Sequence, residues 1–236
     1  MGRTFTLVDS LALGDLHVFL GRAMRVDEGS VRLIAGSGVL AVYVSVLHPT
    51  GLMDESPTVL GLRTFALTSD AGVEGAGADA DAFDVVVPVR SLLMRVEGLL
   101  EASMADVAEP IVVSLPMEVN TVTWAAISPP RGGWHPLPPI RWDVLDAAAR
   151  AGIDEIASAI PTGTGEQIVR RVRSEIWGRP IDGADFVPGG AAFAALSLGF
   201  LHEGDSVAIY ESGPWTRLTT KRGHVLVKRR AWALAR

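Results

Sequence analysis

The sequence predicts an α+β protein built from two halves of different composition. Hydrophobic residues make up 48% of the 236-residue chain and charged residues 20%, proportions that are typical of a folded protein. Residues 1–120 carry 16 acidic and 7 basic side chains, whereas residues 121–236 carry 11 acidic and 14 basic ones. All six tryptophans lie in the second half. We therefore expect two domains, an α+β sheet domain at residues 1–112 and a helical domain with a terminal β-hairpin at residues 117–236.

The first half is expected to form a small sheet with two helices. Apolar residues at three- and four-residue spacing predict helices at Leu13–Met24 and Ser91–Ala102. Runs rich in β-branched residues predict the strands, which are Val31–Ala35, Val39–Leu47, Thr58–Leu67 and Phe83–Val89. Asp70–Asp81 is rich in Asp, Gly and Ala and is predicted to be a loop.

The second half is expected to contain a three-helix segment and a β-hairpin. A strand is predicted at Val119–Ile127, and the proline-rich stretch Ser128–Pro139 excludes a helix or an interior strand. Helical periodicity then continues in three segments, which are Trp142–Ile160, Thr164–Ile176 and Gly190–Leu201. Strands at Val207–Tyr210 and Trp215–Lys228 close the chain. Helix, helix, helix, hairpin is the order of a winged helix, an order that many small domains share.

The helical segments carry predictions of their own. In the segment that begins at Thr164, the hydroxyl of Thr164 is expected to cap the helix, and Ile168, Val169, Val172 and Ile176 are expected to be buried. The segment at Gly190–Leu201 is apolar on nearly all sides, which predicts that it is the buried centre of the second half. Phe193 is expected to fill that core.

No motif predicts a catalytic residue, a cofactor or a metal site. The chain has no cysteine, and its five histidines are scattered singly rather than at metal-ligand spacing. Gly36-Ser37-Gly38-Val39-Leu40-Ala41 matches a dinucleotide-binding fingerprint, but a strand follows where that site needs a helix, so a hairpin turn is predicted. The absence of cysteine and of a long apolar run favours a cytoplasmic protein without a membrane partner.

Three stretches carry a resemblance to known sequences. They are Val59-Leu60-Gly61-Leu62-Arg63, Ser128-Pro-Pro-Arg-Gly-Gly-Trp134, and Gly213-Pro-Trp-Thr-Arg-Leu-Thr-Thr-Lys-Arg-Gly-His-Val-Leu-Val-Lys228. Together they resemble a family of uncharacterised bacterial proteins of similar length. The resemblance covers most of the chain and implies no activity, substrate or catalytic residue.

The C-terminal basic stretch is the strongest binding signal. Basic side chains alternate with aromatic ones there, as in surfaces that attract phosphates and unstacked bases. With the proline-rich loop, it predicts a candidate binding surface of Arg131, Trp134, His135, Trp215, Arg217, Lys221, Arg222, His224, Lys228 and Arg229. The same bases are also suited to pair with the acidic first half across a domain or subunit interface. The acidic overall charge of −6 favours this internal pairing over nucleic acid.

Three functions remain open at this point. The leading hypothesis is a non-enzymatic interaction protein that forms a homo-oligomer, because no chemistry is encoded in a motif. The second is a nucleic-acid-binding protein that uses the basic C-terminal hairpin and tail. The third is an enzyme whose site assembles between the two halves, near Trp134, His135 and Arg217.

Overall fold

The α+β class is confirmed by a computed structural model that describes residues 3–51, 54–68, 82–102, 109–120, 122–161 and 163–229. These residues form five α-helices and a large antiparallel sheet with two small two-stranded sheets. The helices are α1 (Ser10–Val26), α2 (Val89–Ala102), α3 (Trp142–Ala159), α4 (Glu166–Gly178) and α5 (Gly189–Ser197). The strands are β1 (Thr4–Leu7), β2 (Ser30–Gly36), β3 (Val39–Leu47), β4 (Thr58–Ala66), β5 (Phe83–Pro88), β6 (Ile111–Ser114), β7 (His135–Arg141), β8 (Pro180–Ile181), β9 (Ala184–Pro188), β10 (Ser206–Ser212), β11 (Trp215–Thr219) and β12 (His224–Lys228).

The chain divides into two compact units that are discontinuous in sequence. Unit 1 consists of Met1–Val44 and Leu62–Ala126, and unit 2 consists of Ser45–Gly61 and Ile127–Arg236. In unit 1 the sheet order is β5-β2-β3-β4, and α1 and α2 contact each other. The turn between β2 and β3 has Ser37 at φ 52° and Gly38 at φ 74°, so the predicted hairpin is confirmed at the fingerprint-like glycines.

In unit 2 the sheet order is β4-β12-β11-β10-β7, and α3, α4 and α5 contact one another. Helix α5 is the buried centre that its apolar sequence predicts, with Ala191, Ala192 and Ala194 fully buried. Phe193 differs from the expectation. It is only half-buried and stacks on Trp177 with ring centroids 4.6 Å apart, whereas Phe200, just after α5, is completely buried.

The winged-helix-like order is wrong. A two-stranded sheet, β8–β9, separates α4 from α5, so the three helices are not consecutive. In addition, three strands follow α5 instead of a hairpin, and β7, which precedes all three helices, pairs with β10. The prolines of β7 are accommodated because it is an edge strand, where a missing N–H removes no interior ladder bond.

Several local predictions also differ from the structure. The strand expected at Val119–Ile127 is absent from the described residues, which form a short 3₁₀ turn at Thr123–Ala126 instead. Thr164 does not cap α4, because its hydroxyl donates to the carbonyl of Pro161 and the helix begins after Gly165. Along α4, Ile176 is buried as expected, but Ile168 is 60% exposed. The predicted loop at Asp70–Asp81 lies outside the described residues.

Candidate binding surface on unit 2

One face of the unit 2 sheet gathers side chains from β10, β11 and β12. The strand register pairs Tyr210 with Arg217, Thr219 with His224, and Trp215 with Lys228. Directly paired residues of antiparallel strands project from the same face. We call this surface, together with Trp134, the Arg217 face. The other face of the same strands is apolar and buried through Val207, Ile209, Leu218, Val225 and Val227.

Arg217 is the centre of this face. Its guanidinium carbon lies 4.5 Å from the centroid of the Trp134 ring and 4.7 Å from that of the Tyr210 ring. Both distances are within the range of a cation–π contact. Arg217 forms no ion pair with any residue in the described part of the chain, and its Nε is buried without a hydrogen-bond partner there. Two aromatic rings therefore hold a guanidinium group whose positive charge no described carboxylate neutralises.

His224 lies beside Arg217 on the same face. Its Nδ1 is 3.1 Å from the hydroxyl oxygen of Thr219, its cross-strand partner. Burial lowers the pKa of His224 below its ordinary value, and the positive charge of Arg217 lowers it further. His224 is therefore neutral near pH 7.

Of the other predicted basic residues, three lie on or next to the Arg217 face and three lie elsewhere. Lys228 joins the Arg217 face, with its Nζ 6.0 Å from the Trp215 ring centroid, and Lys221 and Arg222 occupy the turn between β11 and β12. Arg229 and His135 alternate onto the opposite face, and Arg131 lies in the bend before β7. The structure thus brings Trp134, Trp215, Arg217, His224 and Lys228 together.

Two bases of the C-terminal stretch form ion pairs in the described residues, but their partners are not the acidic side chains of the first half that the charge distribution suggests. Lys221 lies 3.5 Å from Asp205, and Arg229 lies 3.8 Å from Glu211. Both carboxylates belong to the second half of the chain. The two contacts are long, and Lys221 is 88% exposed, so they neutralise the basic stretch only in part.

Tyr210 was not among the predicted site residues, although its position follows from the adjacent turn. Ser212 pairs with Trp215 across the two-residue connection Gly213-Pro214, with Gly213 at φ 54°. A two-residue hairpin fixes the register on both sides, and this register places Tyr210 opposite Arg217. The sequence features that locate Tyr210 are therefore the Gly213-Pro214 turn and the alternation of side chains along the strands.

A second concave feature of unit 2 is a groove of about 990 Å³ between α4 and a wall formed by Thr50 and residues 54–57. Asp54 stabilises its rim by accepting hydrogen bonds from Thr50 and Ser56. Burial raises the pKa of Asp54, but these hydrogen bonds outweigh burial and leave the pKa below its ordinary value. Arg170 and Arg179 in the groove are paired with glutamates.

Two further classes of site are absent from the described residues. No group of three or more His, Asp or Glu side chains is arranged there to hold a metal ion. No helix among them has the length and apolar character of a membrane span.

Two family models match the sequence. A domain of unknown function (DUF8010) matches residues 1–118, which is half of the chain, and a second domain of unknown function (DUF8185) matches residues 129–232. The chain belongs to the DUF8010 family. This agrees with the predicted membership of a family of uncharacterised proteins. No curated protein is similar in sequence to this DUF8010 member.

Solved structures with a similar course of the chain are bacterial polymerase clamps. Caulobacter crescentus pol III beta is 12% identical with a TM-score of 0.48, and the match covers 95% of this chain and 64% of that one. The Helicobacter pylori beta clamp bound to DNA ligase peptide is 11% identical with a TM-score of 0.46, covering 95% and 66%. The DUF8010 chain thus spans less than two thirds of the length of both proteins. At these TM-scores and identities no shared activity follows.

Proposed function

We propose that this DUF8010 protein is a non-enzymatic protein that binds single-stranded nucleic acid on the Arg217 face of unit 2. The observation that carries the proposal is the Arg217 guanidinium, held against Trp134 and Tyr210 without a carboxylate partner in the described residues. A guanidinium group is planar, permanently charged and well matched to the oxygens of a phosphate. Because the two rings contact it, less side-chain entropy is lost when it binds.

The aromatic side chains favour a single strand over a duplex. Trp134 and Tyr210 are only half-buried, so part of each side chain remains accessible to solvent. Unpaired bases stack on such rings, and each stacked base contributes about 1–3 kcal/mol, whereas the bases of a duplex are already stacked on one another. Lys228 on the same face and Lys221 and Arg222 in the adjoining turn supply further positive charge for the backbone.

The test is binding of a fluorescent thymidine oligomer of about 12 nucleotides to the full chain across a salt series. We expect the wild type to bind with an affinity that falls as salt rises, with a logarithmic slope of about −0.7 per phosphate contacted. Arg217→Gln and Trp134→Ala should each weaken binding about 10-fold or more, while both variants still unfold in one cooperative thermal transition.

Arg150→Gln is the matched control, because it removes the same charge from the exposed surface of α3. It should leave the affinity within about twofold, since one distant charge changes only the long-range attraction. If the wild type does not bind, or if Arg217→Gln binds as tightly as Arg150→Gln, the proposed function is wrong.

A second candidate function, self-association, is favoured by apolar side chains on α3 and α4. Ile168 on α4 is 60% exposed, although helical periodicity predicts that it is buried, and Ile153 on α3 is 38% exposed. Ile156, Val169 and Val172 on the same two helices are half-buried. We propose that a second copy of the chain covers these side chains, because apolar residues at helical spacing are typical of a helix–helix interface.

Light scattering after size-exclusion chromatography tests this oligomer over a range of concentrations. We expect the wild type to be a dimer or larger, and the double variant Ile153→Lys, Ile168→Lys to be monomeric, because lysines at the interface would lose their hydration. Leu11→Lys is the control, since Leu11 on α1 in unit 1 is 69% exposed. A monomeric wild type, or a double variant that still associates, contradicts the proposal.

A further inference from the structure

Two nitrogen-bearing side chains lie side by side on the Arg217 face, and the proposed function uses only one of them. Thr219 is paired with His224, and Arg217 is two residues before Thr219 on β11, so Arg217 and His224 are diagonal cross-strand neighbours. Diagonal neighbours on one face have Cα atoms about 7–8 Å apart, a spacing that long side chains bridge. A phosphate that contacts both the Arg217 guanidinium and the His224 ring would therefore bridge β11 and β12.

We infer that His224 is a second phosphate ligand of this face, and that it takes up a proton from solvent when a phosphodiester binds to Arg217. The inference rests on the proposed function. It adds His224 to the residues that bind the phosphate and adds the uptake of one proton to the binding step. The chemistry that the pair recognises is an oxyanion with one negative charge, and we assign it to the nucleic-acid backbone.

The hydrogen bonding of the ring is consistent with this role. The Nδ1 of His224 is engaged by the Thr219 hydroxyl, which fixes the ring orientation and leaves Nε2 as the second nitrogen. His224 is half-buried, so its ring has both a rigid support and a solvent-accessible part. A protonated Nε2 donates a charge-assisted hydrogen bond, which is shorter and stronger than a neutral one.

Electrostatics couples the proton to the anion. In the unbound protein, burial and the charge of Arg217 both lower the pKa of His224. An anion bound to Arg217 compensates that positive charge and is attracted to imidazolium, so it raises the pKa of His224. The bound state then holds more protons than the unbound state, and linkage requires that affinity increases as pH falls.

The other charged groups near His224 do not provide this coupling. Tyr210, Arg217 and Lys228 share its face, and none of them is a carboxylate. Asp205 contacts Lys221, and Glu211 on β10 belongs to the opposite face. The part of β4 within unit 2, Thr58–Gly61, has no titratable side chain.

The experiment measures the affinity of the full chain for the thymidine oligomer between pH 5.5 and 8, where neither thymine nor a phosphodiester titrates. We expect wild-type affinity to fall about 3- to 10-fold as pH rises through this range, because the proton taken up on binding is then less readily supplied. His224→Gln keeps a hydrogen-bonding group but cannot be protonated, so the affinity of the variant should be independent of pH across this range.

Proton NMR of the wild-type His224 ring gives a second readout that does not depend on a variant that folds. The pH at which the ring titrates should rise when the oligomer is added. Inorganic sulfate, which does not titrate in this range, tests whether a free anion has the same effect. At the same concentration as the oligomer, sulfate should not change the pH at which the ring titrates. An equal response to sulfate overturns the assignment to nucleic acid.

The two proposals fail in different ways. Binding that is independent of pH in the wild type, or equally pH-dependent in His224→Gln, overturns the role of His224 and leaves the proposed function intact. An absence of binding at every pH overturns both.

Discussion

Phe200 is completely buried, and its ring occupies space that Gly223 leaves open. A Cβ atom built at Gly223 would lie 2.4 Å from Cε1 of Phe200, closer than any real contact allows. Phe193, only seven residues earlier, is half-buried and rests on the indole of Trp177 instead. Two phenylalanines on the same apolar stretch thus have different environments, and only one of them is part of a fully packed core.

A pair of truncations measures this difference at the residue scale. Phe200→Ala should destabilise the protein by about 3–5 kcal/mol, because it removes a buried ring and leaves a cavity. Phe193→Ala should cost about half as much, since the ring is partly exposed before the change and loses mainly its stack on Trp177. Urea denaturation of both variants gives the two free energies. Equal losses would mean that Phe193 is as deeply packed as Phe200.

The residues of the proposed binding surface were predictable one by one, but their grouping was not. Arg217, Trp134 and Lys228 were singled out because basic and aromatic residues are interleaved in the same stretches. That pattern does not distinguish Lys228, which alternates onto the Arg217 face, from the adjacent Arg229, which alternates onto the other. A one-residue difference in register exchanges the two faces of a strand, so the site depends on the turn geometry at Gly213-Pro214.

At the scale of elements, the positions of the helices were easier to predict than the burial of their side chains. The apolar spacing of α4 is real, yet only Ile176 and Trp177 near its end are buried. Periodicity reports which side chains share a face, but it does not report what covers that face. The exposure of Ile168 is therefore informative, because it is the observation on which the proposed self-association rests.

The short sheet β8–β9 shows why very short strands are difficult to predict from the sequence. Its turn, Asp182-Gly183 with Gly183 at φ 78°, is a typical hairpin signal. The strand before the turn has only two residues, so no alternation is visible in the sequence. Without a visible signal for this hairpin, the three helical segments look consecutive in the sequence, which is why the predicted winged-helix-like order is wrong.

At the scale of the whole molecule, the composition change between the halves and the division into units are not the same boundary. The two family models cover residues 1–118 and 129–232, and the predicted division at residues 113–116 is close to the gap between them. Unit 2 nevertheless includes Ser45–Gly61 from the first half. Within unit 2, Leu47 lies next to Gly190 of α5, and Pro57 lies next to Gly178 of α4.

We therefore propose that residues 117–236 fold as a module, but with lower stability than in the full chain. The fragment lacks Ser45–Gly61, so the surfaces of α4 and α5 that this segment covers become exposed to water, and each buried apolar Å² that is lost costs about 25 cal/mol. Thermal unfolding should show one cooperative transition at a lower temperature than in the full chain. Adding a peptide of residues 45–61 should raise that temperature, whereas a scrambled peptide of the same composition should not. If the fragment melts at the same temperature as the full chain, residues 45–61 contribute nothing to the stability of unit 2. If the fragment shows no cooperative transition, residues 117–236 are not a module at all.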